Sequence, residues 1–139
     1  MMTEIIVARD AEGAAITFLR AQFLAIGDTA KVSGKFPAGN TAAAIAARKR
    51  FVRVVRAGGI TRNIAYDSPR LVFECSTESS VSAERLCALT RGFILAWARL
   101  SDDVTRVQDA GDMAYVPDPD SGQDRYQFAV QVDMKMSAL

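Results

Sequence analysis

The last quarter of the chain has the clearest pattern. Tyr126, Phe128, Val130, Val132, Met134 and Met136 alternate without a miss against Gln127, Ala129, Gln131, Asp133 and Lys135. A period of two predicts a strand with one face on a core and the other toward water or a neighbour. Two earlier segments change period to three and four. Ala15, Phe18, Leu19, Phe23 and Ile26 predict a helix with Asp10 as N-cap, Glu12 in its first turn and Gly27 closing it. Leu86, Leu89, Phe93 (or Ile94) and Trp97 predict a second, running from the Ser/Thr-rich stretch Ser76–Ser80 to about Arg99, with Glu84 near its positive end.

The remaining segments are shorter. Ala30–Lys35 reads as a brief strand ended by Pro37 and Gly39, and Phe51–Ala57 as a β-branched strand closed by a turn at Gly58-Gly59. Tyr66, Asp67 and Pro69 read as a polar link before a strand over Arg70–Ser76. Val104–Asp109 is a further strand, followed by a turn-rich loop from Gly111 to Asp124. Thr41–Arg50 is ambiguous: its alanines favour helix, yet it has no apolar face. It is expected to be an exposed excursion, ordering against a partner. The order helix, two or three strands, helix, two strands predicts one α+β domain over residues 1–139. Its mainly antiparallel sheet has four to five strands, with two amphipathic helices packed on one face.

Composition narrows the chemistry. The 139 residues include no histidine and only Cys75 and Cys87, which form no CxxC pair. That removes the commonest general base, the Ser-His and Cys-His nucleophiles, and a zinc site of the usual Cys/His kind. No catalytic, cofactor-binding or metal site is expected, and the protein is read as a non-enzyme. Both cysteines, with Phe93 and Trp97, are expected in the core. No apolar run is long enough for a membrane helix, and the first residues lack a secretory pattern.

Charge changes the picture more. The chain nets only +1, yet Thr29–Tyr66 carries Lys31, Lys35, Arg48, Lys49, Arg50, Arg53, Arg56 and Arg62 with no acid. From Leu100 to Asp124, Asp102, Asp103, Asp109, Asp112, Asp118, Asp120 and Asp124 stand against Arg106 alone. Segregated charge speaks to association. The candidate interface comprises Arg48, Lys49, Arg50, Arg53 and Arg56 with Asp118, Asp120 and Asp124, the bases facing an acidic surface of a neighbouring copy or of a tube subunit. The run Lys49–Arg56 also mixes bases with apolar residues, so the alternative is a small nucleic-acid-binding module using residues 31–62. Pro117–Asp124 lacks the spaced ligands and closing glutamate of an EF-hand.

Four runs carry a resemblance. Arg50-Phe51-Val52-Arg53-Val54-Val55-Arg56 ending in Gly58-Gly59, Asp67-Ser68-Pro69-Arg70-Leu71-Val72-Phe73-Glu74, Pro117-Asp118-Pro119 and Arg125-Tyr126-Gln127-Phe128-Ala129-Val130 resemble the tail terminator proteins of long-tailed, siphovirus-type phages of actinobacteria. The resemblance runs from about Ala8 onward, and the alanine-rich Thr41–Ala47 is longer than the family pattern. It implies a homo-oligomeric ring, typically a hexamer, at the head–tail junction of the virion, assembled in the host cytoplasm. Such a ring caps the tail tube protein, stops its polymerisation and docks to a head-completion (stopper) protein. DNA passes through the lumen without specific binding. No cofactor and no membrane contact are implied.

Overall fold

The computed structural model describes residues 5–61, 66–109 and 111–138. Met1–Glu4 and Arg62 therefore lie outside the described residues. Strands are β1 (Ile6–Val7), β2 (Lys31–Ser33), β3 (Arg50–Thr61), β4 (Tyr66–Thr77), β5 (Val104–Asp109), β6 (Ala114–Tyr115), β7 (Arg125–Lys135) and β8 (Ser137–Ala138). Helices are α1 (Ala11–Ala25), α2 (Ala42–Arg48), α3 (Ser80–Leu95) and α4 (Trp97–Leu100). The main sheet runs β2-β3-β4-β7-β5, with β6 also paired to β7, and β1 pairs with β8 separately. Every pairing is antiparallel except β2 with β3. The α+β class and the mainly antiparallel sheet are as expected; β6 and the β1–β8 ribbon are additions, too short to show periodicity.

The two long helices cover one face. Asp10 caps α1, its carboxylate accepting from the Gly13 N–H at 3.0 Å, and the Ser79 hydroxyl caps α3 through the Ser82 N–H at 3.2 Å. Ala15, Phe18, Leu19 and Phe23 of α1 and Leu86, Cys87 and Ile94 of α3 join Val52, Val54, Leu71, Phe73, Phe128, Val130, Val132 and Met134 in one core. Trp97, on α4, stacks on Phe18 with centroids 5.5 Å apart. Both cysteines are buried there as free thiols. Ile26, expected on the stripe, lies beyond the end of α1 and is exposed.

Two local readings are corrected. Gly58-Gly59 is not a turn: the register with β4 shifts between Arg56 and Gly59, and the strand continues to Thr61. The pair forms a β-bulge, with φ of +83° and +116° that glycine adopts without strain. The polar link at Tyr66–Pro69 is likewise strand, with Asp67, Ser68 and Pro69 buried. Thr41–Arg50 is helical over α2, and no α2 residue is buried. Because β2 and β3 are parallel, the chain must cross back before re-entering the sheet, and this excursion is that crossover.

Candidate functional site

The sheet face away from α1 and α3 carries a chain of alternating charges. Adjacent strands align Arg53 with Glu74 and Ser76 with Arg125. Arg53 Nη1 donates to Glu74 Oε1 at 2.9 Å, while Arg125 Nη1 lies 3.4 Å from Glu74 Oε2 and 3.8 Å from Asp118 Oδ1. Glu74 and Arg125 are largely shielded from water, which strengthens the pairing and leaves little freedom to rearrange. These residues floor an open cleft of about 520 Å³ between two loops, Phe36–Asn40 and Asp118–Ser121.

Each wall is tied down. Phe36 packs edge-to-face on Phe51, with centroids 5.4 Å apart. Arg48 Nη1 donates to the carbonyls of Pro37 and Gly39 at 3.0 and 2.9 Å. Gln123 Nε2 donates to the Arg48 carbonyl at 2.6 Å, joining the acidic loop to α2. The Asp118 carboxylate accepts from the Ser121 hydroxyl and N–H. The Ser121 hydroxyl, more than any other group, holds the Asp118 carboxyl below the usual range; Arg125 adds to this.

The expected interface residues are therefore split. Arg48, Arg53, Asp118 and Asp120 line the cleft, and Arg125 and Glu74, which sequence reasoning had not singled out, complete it. Arg50 faces away and grips Asp28 through two bonds of 2.8 and 2.7 Å. Arg56 Nη2 donates to Asp67 Oδ2 at 2.9 Å, and the Arg56 N–H donates to Glu12 Oε1 at 2.6 Å. Lys49 meets Glu78 at 3.6 Å on the open surface. Asp124 accepts from the Tyr115 hydroxyl, which raises that phenol above its ordinary pKa. Lys49, Arg50, Arg53 and Arg56 thus pair with Glu78, Asp28, Glu74 and Asp67 of their own chain, so the basic segment is not a free cationic face. Lys31 and Lys35 remain exposed, outside the ion pairs formed among the described residues.

A scan against protein-family models finds no match, and neither does a search of curated proteins. Among the described residues, no three Cys, Asp or Glu side chains converge as metal ligands. Burial pushes the Cys75 thiol well up, away from the reactive thiolate. The cleft offers paired charges in a shaped recess.

The Asp28–Arg50 pair gives a direct test of internal pairing. The Arg50 hydrogen bonds hold the Asp28 carboxyl below its ordinary value. A depressed carboxyl contributes stability above about pH 4, lost as the pH falls through its folded value. Asp28→Asn is expected to lower Tm at neutral pH, with the gap to wild type narrowing in acid. A gap independent of pH would show that the pair contributes nothing by charge.

Proposed function

We propose that this protein is a structural tail terminator: a subunit of a ring, typically six copies, that caps the head-proximal end of a phage tail tube. One observation supports this most. Three of the runs that carry the resemblance are the adjacent strands β3, β4 and β7, and Pro117-Asp118-Pro119 leads into one wall of the cleft. The resemblance and the candidate site thus fall on the same strands. In this role the subunit halts tube polymerisation and presents a docking surface to a head-completion protein, with DNA passing through the lumen. Its place is the head–tail junction of the virion, after assembly in the host cytoplasm. Nucleic-acid binding through residues 31–62 is disfavoured because Arg50, Arg53 and Arg56 already engage carboxylates.

Native mass spectrometry of the protein alone and mixed with its tail tube protein tests the reading. Closed oligomers, and tubes whose growth stops on addition, are the expected result. A chain that stays monomeric in both and leaves tube length unchanged would overturn it.

A further inference from the structure

The main sheet ends in two chemically unlike edges. At β2, Arg20 Nε donates to the Val32 carbonyl at 2.9 Å. Beside it a groove of about 580 Å³ runs between the end of α1, β2 and α2, with Phe23, Val32 and Phe51 among its lining. Leu24, on its side, is 81% exposed, and neighbouring Ile26 is 56% exposed. The surround is cationic: Arg20 and Lys31 are exposed, whereas the Asp28 carboxylate is held by Arg50.

The opposite edge carries β6. Tyr115 there is 47% exposed, with its ring against Tyr126 and its hydroxyl on Asp124. Asp112 is exposed close by, and no lysine or arginine occurs between Arg106 and Arg125. Four strand spacings separate β2 from β6. At about 4.8 Å each they amount to roughly 19 Å, so a chain cannot place its own Tyr115 in its own groove.

We propose that the groove at β2 seats the Tyr115 edge of a second copy. This names the subunit contact of the ring and rests on the terminator reading above. The Tyr115 ring enters beside the exposed Leu24, over the buried Phe23, and Asp112 and Asp124 approach Lys31 and Arg20. The apolar contact and the aromatic anchor supply affinity, while the rim charges steer the encounter. Socket and plug lie on different edges, so the contact is head-to-tail and repeats until the rotation closes.

Two variants test the polarity. Leu24→Asp spoils the socket and keeps the plug; Tyr115→Asp does the reverse. Both positions are exposed, so each variant is expected to retain the far-UV circular dichroism and Tm of wild type. By native mass spectrometry each alone should be monomeric, and an equal mixture should form heterodimers and nothing larger. Wild-type oligomers from either variant alone, or a mixture that stays monomeric, would overturn this contact while leaving the ring intact. A wild-type chain that never assembles, even with its tube protein, would overturn the ring reading and this contact with it.

Discussion

Replacing Phe128 by alanine is expected to cost about 3–5 kcal/mol, the range for deleting a large aromatic from a packed core. Phe128 is buried on β7, the strand between β4 and β5, and stacks on Phe73 with centroids 4.9 Å apart and planes 12° from parallel. Neither β4 nor β7 can close that gap, because each is held by strands on both sides. Gln127, one residue earlier, points to the opposite face and is only half-buried. Gln127→Ala should change stability by no more than about 0.5 kcal/mol. Urea unfolding of the pair measures the contrast. Equal losses would mean that the two faces of β7 do not differ in packing.

The second large effect is expected at Gly59. Its φ of +116° is one that a side-chain-bearing residue rarely adopts. A Cβ there would also lie 2.6 Å from Pro69 Cα and 2.7 Å from Arg70 N, both backbone atoms that cannot swing aside. Gly59→Ala is therefore expected to cost about 3–5 kcal/mol, strain and collision together, or to prevent folding. Gly58 separates the two causes. Its φ is +83°, but a Cβ would meet nothing within 4 Å. Gly58→Ala should cost only about 1 kcal/mol, from strain alone. Comparable losses at both would show that the close approach of β4 is unimportant.

These two sites also mark what the sequence shows and what it hides. The alternation from Phe128 to Met134 is visible because one face is buried over that stretch; Tyr126, at the start of the strand, is only half-buried. The α1 and α3 stripes are legible for the same reason. Gly58-Gly59 is misread because glycine pairs signal a positive φ without saying whether the chain reverses or bulges. Asp67 and Ser68 look like linker residues because they are polar. Both are buried beside partners distant in sequence: Arg56 for Asp67, and Asp133, whose Oδ1 accepts from the Ser68 hydroxyl at 2.6 Å. At the cleft, charge segregation along the chain suggested surfaces awaiting a neighbour. Strand register adds pairings within the chain: it sets Glu74 against Arg53 and near Arg125, and no local pattern encodes that juxtaposition.

The placement of β7 has a consequence for how the chain acquires its shape during synthesis. β3 and β4 are neighbours in sequence and pair directly, so they can form as soon as both leave the ribosome. The other edge of β4 has no partner until β7 arrives, some 50 residues later, and β5, β6 and β7 itself depend on that arrival. Until then the growing polypeptide exposes an unpaired strand edge bordered by Leu71 and Phe73. Such edges attract other chains at high local concentration. Completion of the sheet thus waits on β7, and truncations before Arg125 leave an aggregation-prone remnant rather than a smaller version of the fold.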